Sequence, residues 1–196
     1  MTRPIRPLRH LLPALGLILA LACGGGSGPS SPVSPAKTIA DTLTYSNPSS
    51  GTYTLVRNPA KSTASHLVLD LLGPAGTVSG VGFYLMADQT KVTWSPVDPG
   101  DPEKAKSAVF SNPLVKSKVS GDSLQAGIFQ KGITAPVSAT ASTVLASVAL
   151  DLKANVPLAT AATITLSAGK ALILQAPVDP VATAPITITV GALAAN

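Results

Sequence analysis

From about residue 38 onward, apolar and polar residues alternate with a period of two. Such alternation places successive side chains on opposite faces of a strand, not along one side of a helix. Val81, Phe83 and Leu85 share one parity, with Gly82, Tyr84 and Met86 on the other. Leu124, Ala126 and Ile128 alternate in the same way with Gln125, Gly127 and Phe129. Val144, Ala146, Val148, Leu150 and Leu152 form a stripe opposite Ser147, Asp151 and Lys153. In the run Ser65 to Leu72, stopped by Gly73-Pro74, the leucines 67, 69 and 71 oppose His66, Val68 and Asp70. Val92 and Trp94 extend an apolar face up to a loop over 96–102. Ile164 and Leu166, then Ile186, Ile188 and Val190, repeat the pattern with threonines outward. Asp41 to Tyr45 and Thr52 to Arg57 flank Asn47-Pro48-Ser49-Ser50-Gly51, which predicts a hairpin. A short helix is a candidate only around Glu103 to Val109. Short alternating runs with one buried face predict a single all-β antiparallel sandwich of about eight to ten strands over 38–196.

Composition agrees with that reading. Glu103 is the only glutamate, and Ala, Thr, Val, Leu and Ser dominate. Exposed helix positions draw on Glu, Lys and Arg, so this balance tilts towards strands. The roughly 160 residues of the domain suffice to bury about two-thirds of their unfolded surface.

The first 37 residues are of another kind. Arg3, Arg6 and Arg9 precede an uncharged apolar stretch, Leu11 to Leu21, of signal-peptide length. Crossing a bilayer as a helix takes about 20 residues, so this stretch is too short for a permanent span. It ends at Leu19-Ala20-Leu21-Ala22-Cys23, which holds the only cysteine of the chain. The arrangement resembles a bacterial lipoprotein signal, with Ala20 and Leu21 in reversed order relative to the commonest form. The resemblance implies cleavage after residue 22, lipidation of Cys23 and membrane attachment through that lipid. Gly24, standing where Asp would mark inner-membrane retention, implies the outer membrane of the cell envelope. Residues 23–37 then form a lipidated Gly/Ser/Pro tether. Loss of the leader lowers the net charge from +5 to +2, because three arginines leave with it. No basic stripe interleaved with aromatics remains, so nucleic acid is not an expected partner.

The strand run Ser79-Gly80-Val81-Gly82-Phe83-Tyr84-Leu85, followed by Asp88 and Lys91-Val92-Thr93-Trp94, resembles the opening strand pair of a cohesin domain. Val144-Leu145-Ala146-Ser147-Val148-Ala149-Leu150 is similar to a later cohesin strand, with Leu150 in place of an aromatic. Thr163 to Ser167 and Ile186 to Val190 fit the last strands, so the likeness covers about residues 40–193. Ala87 replaces the aromatic expected before Asp88. The resemblance implies a jelly-roll sandwich related to carbohydrate-binding modules, and a binding function.

Candidate chemistry is sparse. Beyond the leader there is one histidine, His66, within a strand, and no Gly-x-Ser-x-Gly turn. A hydrolytic triad is therefore not expected, and His66 reads as a structural surface residue. The carboxylates Asp70, Asp88 and Asp151 are scattered singly, with outward solubilising roles the expectation. One cysteine and one histidine cannot complete a zinc site. Asp98, Asp101 and Glu103 share an oxygen-rich loop of the type that binds calcium, although its prolines and the lack of a full motif favour a solvated turn. No catalytic residue, resident metal or cofactor is expected. Tyr45, Tyr53, Tyr84 and Trp94 are the aromatics available to stack on a sugar, with Trp94 assigned to the core by its parity with Val92. Tyr84, Met86 and Phe129 are the candidate binding surface, or else part of a second inner layer. The expected function is a non-enzymatic, lipid-anchored envelope protein that presents this surface to a protein partner. The alternative is a carbohydrate-binding module tethered to the outer membrane.

Overall fold

The computed structural model describes residues 36–132, 135–158, 163–176 and 182–196. The expected leader, Cys23 and all but the last two residues of the tether lie outside the described residues. Ala36–Asn196 form one compact unit.

Fifteen strands are found among the described residues, and most follow the alternation directly. The first sheet holds β2 (Tyr53–Arg57), β3 (His66–Leu72), β6 (Val92–Ser95), β7 (Ala105–Lys106), β11 (Val144–Leu152) and β14 (Ile188–Thr189). Its order is β14-β2-β3-β11-β6, with β7 also pairing β11. The second sheet holds β5 (Gly80–Ala87), β8 (Pro113–Ser120), β9 (Ser123–Gln130), β12 (Leu166–Ala176) and β13 (Ala182–Ile186), in the order β13-β12-β5-β9-β8. Two small ribbons complete the set, β1 (Leu43–Ser46) with β15 (Ala192–Ala195) and β4 (Gly76–Val78) with β10 (Val137–Ala139). Within the two main sheets every pairing is antiparallel except β14 with β2.

The core lies between the two main sheets. Leu67, Leu69 and Leu71 from β3 and Val148 and Leu150 from β11 meet Val81, Phe83 and Leu85 from β5 and Leu124 and Ile128 from β9. Trp94 is buried as its parity predicts, and its indole Nε1 donates to the Asp122 carbonyl at 3.2 Å. Asp122 sits in the two-residue turn between β8 and β9, where Gly121 takes φ 53°. Positive φ at this position matches the twist that tight hairpin turns require. The sandwich expected from periodicity is therefore present. Its two sheets hold eleven strands, close to the expected number. The run Ile186 to Val190 is split between β13 and β14, and β7 is a two-residue segment too short to leave a periodic trace.

Three local expectations are corrected. Asp41–Tyr45 and Thr52–Arg57 do not form a hairpin, since β1 pairs with β15 and β2 with β3 and β14. The two segments are tied by side chains instead. Tyr45 Oη donates to the Leu55 carbonyl at 2.9 Å, and Asn47 Oδ1 accepts from the Arg57 amide at 2.7 Å. The stretch Glu103 to Val109 forms β7 and turns, not a helix, because Ala105 and Lys106 pair with Val148 and Ser147. The third correction concerns burial.

In β3 and β11 both faces are covered, not one. Val97, from the loop after β6, packs with Val68 and Ala149 on the outer side of the first sheet. Lys61 Nζ joins Asp98 Oδ1 at 2.9 Å, linking the loop after β2 to the loop after β6. Asp70, expected to face solvent, is consequently 7% exposed. It accepts from Asn58 Nδ2 at 2.8 Å and from Ser147 Oγ at 2.6 Å. A buried carboxylate persists only with such donors.

Candidate functional site

The second sheet presents an outer face that departs from the covered one. Because Val81, Phe83, Leu85 and Ala87 point inward, the other parity of β5 (Gly80, Gly82, Tyr84 and Met86) points out. Register then sets the cross-strand neighbours: Gly80 opposite Phe129, Gly82 opposite Gly127, Tyr84 opposite Gln125 and Met86 opposite Ser123. On the other side of β5, Leu172 of β12 stands opposite Gly82. Tyr84 is 40% exposed, Met86 43% and Leu172 38%. The three residues expected to form a binding surface, Tyr84, Met86 and Phe129, therefore share this outer face and are not an inner layer.

Glycine gives the face its relief. The Phe129 ring lies across two of them, where a Cβ on Gly80 would fall 2.3 Å from Phe129 Cδ1 and one on Gly127 2.8 Å from Cε2. An aromatic laid over a glycine across the ladder, here Gly80, and over one two residues away on its own strand, here Gly127, covers backbone that would otherwise face water. Above Gly82 there is room, as a Cβ there would come no nearer than 3.7 Å to any neighbour, the Leu172 side chain. The result is a trough of about 1080 Å³ floored by the Gly82–Gly127 pair and walled by Phe129, Tyr84, Leu172 and Pro185. A smaller depression of about 330 Å³, between Tyr84, Met86 and Lys170, lies beside it. A register shift in β12 between Ala168 and Ala171 helps shape it, bringing Gly169 against Tyr84.

The charged groups lining the trough among the described residues are all cationic. Lys116 and Lys118 of β8 line one side and Lys170 of β12 the other. Lys116 Nζ is 3.5 Å from Glu103 Oε1, while Lys118 and Lys170 have no ion pair among the described residues. No carboxylate among the described residues lines either depression.

The remaining candidates are engaged elsewhere. Lys106 Nζ contacts Asp98 Oδ2 at 2.5 Å and Asp101 Oδ2 at 3.2 Å. Hydrogen bonds from Lys106, and then Lys61, hold the Asp98 carboxyl below the usual carboxylate range, and Asp98 in turn raises Lys106. Glu103 turns away from these two and accepts from the Ser117 amide at 2.6 Å and the Ser117 hydroxyl at 2.7 Å. The carboxylates of this loop are thus neutralised by lysines or bound to strand β8. Among the described residues no group of three metal-ligating side chains is assembled.

His66 Nδ1 is 2.5 Å from Asp151 Oδ1 across the β3–β11 ladder, a partner that alternation alone does not reveal. Tyr45 is buried, Trp94 is buried and Tyr53 lies against Gly73, where a Cβ would meet its ring at 2.6 Å. Of the four aromatics considered for sugar stacking, Tyr84 alone is exposed. Cys23 lies outside the described residues.

Leu172 and the lysines were not visible as site residues in the periodic pattern. Ala171-Leu172-Ile173-Leu174 is a continuous apolar run whose parity cannot be read locally. Val115-Lys116-Ser117-Lys118-Val119 does alternate, and that signal could have located β8 and its outward lysines.

No family model matches the chain, and no curated protein matches it significantly. Among solved structures it is similar to the sixth cohesin of scaffoldin B from Acetivibrio cellulolyticus, crystallised in complex with a mutant dockerin. That similarity is 17% identity with a TM-score of 0.48, covering 71% of this chain and 96% of the cohesin. A type II cohesin domain from the cellulosome of the same organism gives 8% identity and a TM-score of 0.49, covering 73% and 94%. The cohesin module of a family 33 glycoside hydrolase from Clostridium perfringens gives 12% and 0.39, covering 78% and 98%.

Proposed function

We propose that this chain is a non-enzymatic, lipid-anchored protein of the cell envelope whose sandwich domain holds a protein partner on the outer face of the second sheet. One observation carries the reading. The outer side of the first sheet is closed by its own loops, whereas the second displays Tyr84, Met86 and Leu172 together around a glycine-floored trough. A contiguous exposed apolar patch rimmed by polar residues is the usual mark of an interaction site. Tyr and Met are moreover favoured at protein interfaces. A pyranose ring presents many hydroxyl groups and calls for several polar partners, which this mostly apolar trough supplies poorly. The leader and Cys23 add the anchor, and residues 24–36 the tether between lipid and domain.

Affinity capture from envelope extracts tests the assignment. The wild-type chain is expected to retain one protein in stoichiometric amount, and Leu172→Asp with Tyr84→Ala to lose it. Retention of a polysaccharide on a glycan array, with no protein captured, would reject it. The anchor is tested separately. Cys23→Ser is expected to move the chain from the membrane to the soluble fraction, and unchanged membrane fractionation would remove that part of the reading.

A further inference from the structure

We infer that the partner segment seated in this trough is acidic as well as apolar, an inference that rests on the protein-binding reading above. The argument is charge complementarity across a defined width. Lys118 lies on β8 and Lys170 on β12, with β9 and β5 between them. Three strand spacings separate these outer rows, about 14 Å. Gln125 and Tyr84 lie directly between Lys118 and Lys170. One pair further along the strands the floor lacks side chains at Gly82–Gly127, so one side chain of the partner can descend there beside Phe129. A segment inserting an apolar residue there brings its flanking residues under both lysine rows at once.

The lysines are free to act. Lys37, Lys61, Lys91 and Lys106 are each paired with an aspartate and Lys116 with Glu103. Lys118 and Lys170, like Lys104, Lys131 and Lys153 away from the trough, have no acidic partner among the described residues, and their place on opposite sides of the trough sets these two apart. A basic segment would meet cations on both sides, with no carboxylate among the described residues lining the trough to offset them. A neutral one would leave the same charges to solvent, without gain. Acidic side chains at the two rims accelerate encounter and select among partners, while the apolar insertion supplies most of the affinity.

Selection from a random peptide library displayed against the purified full chain tests this. Enriched peptides are expected to carry Asp or Glu on both sides of an aromatic or aliphatic residue. Synthetic copies are expected to bind about tenfold more weakly to Lys118→Glu/Lys170→Glu, and to weaken as salt is raised. Both lysines are exposed, so circular dichroism should show this variant folded. Enrichment of neutral or basic peptides, or of none, overturns the inference, as does acidic binding indifferent to the lysine reversal. Tighter retention of polygalacturonate than of any selected peptide also overturns it, in favour of an acidic glycan. Leu172→Asp separates the two levels. If it abolishes binding of charge-indifferent peptides, the protein-binding face stands and only its acidic preference falls. If no peptide responds to Leu172→Asp, the face itself is wrong.

Discussion

Tyr45 shows how much one buried polar atom carries. Its hydroxyl donates to the Leu55 carbonyl and accepts from the Gly191 amide at 2.6 Å, joining three stretches of chain. Burial pushes its phenol pKa up, so it remains the neutral donor at all ordinary pH. Tyr45→Phe leaves two backbone groups without this partner, and we expect a loss of about 1–3 kcal/mol in urea denaturation. Gly191 is equally constrained, since a Cβ there would lie 1.8 Å from the Ser46 carbonyl oxygen. Asp70 is the second such residue. Asp70→Ala strands the Asn58 amide and the Ser147 hydroxyl under the loops, and an expected cost of about 1–3 kcal/mol can be read in the same assay. The burial of Tyr45 follows from its parity with Leu43, as that of Trp94 does from Val92, whereas that of Asp70 was not legible, because an Asp in a strand reads as outward whatever later covers it.

At the scale of the element, strand β8 is the exposed edge of the second sheet. Such edges invite pairing with another chain unless something blunts them. Here Glu103 does so, taking up the Ser117 amide at the edge, and Lys116 and Lys118 add charge. The Ser117 hydroxyl is the largest influence holding the Glu103 pKa below its ordinary 4.5, against a smaller opposing effect of burial. A carboxylate whose folded pKa is depressed stabilises the fold fully above its unfolded pKa, and that contribution is lost as pH falls through the folded value. The stability advantage of wild type over Glu103→Gln should accordingly shrink as pH drops below about 4.5, measured as melting temperature against pH. A constant difference across that range would contradict this role. On β9 the corresponding test is Phe129→Ala, which uncovers Gly80 and Gly127 and should cost about 1 kcal/mol beyond any effect on binding.

For the whole molecule, the contrast between the two sheet faces organises everything else. One sheet is sealed by loops tied through Lys61, Asp98 and Lys106, and the other is left open around the trough. The sealed half contributes rigidity and the open half a surface, with no large rearrangement needed to expose it. Because Ala36–Asn196 hold the core within themselves, a chain starting at Ala36 is expected to unfold cooperatively with a β-type circular dichroism spectrum. Gradual, non-cooperative melting would show that the first 35 residues contribute to stability.

The sequence by itself determined what local periodicity can carry. The parity of Val81, Phe83 and Leu85 against Tyr84 and Met86 predicted an all-β sandwich and placed two site residues on one face, since a strand turns each side chain by half a revolution whatever surrounds it. It also raised the expectation of a leader and a tether around the single cysteine, which rests on composition and order alone. Tertiary structure alone decided the rest. Parity states that a strand has two faces, but loops distant in sequence decide which is covered, as Val97 does for Val68 and Ala149. Register, a property of two strands and not of one, laid Phe129 over Gly80 and set Gly82 beside Gly127. The lysine rows come from β8 and β12, 52 residues apart at Lys118 and Lys170, and face each other only once β9 and β5 lie between them.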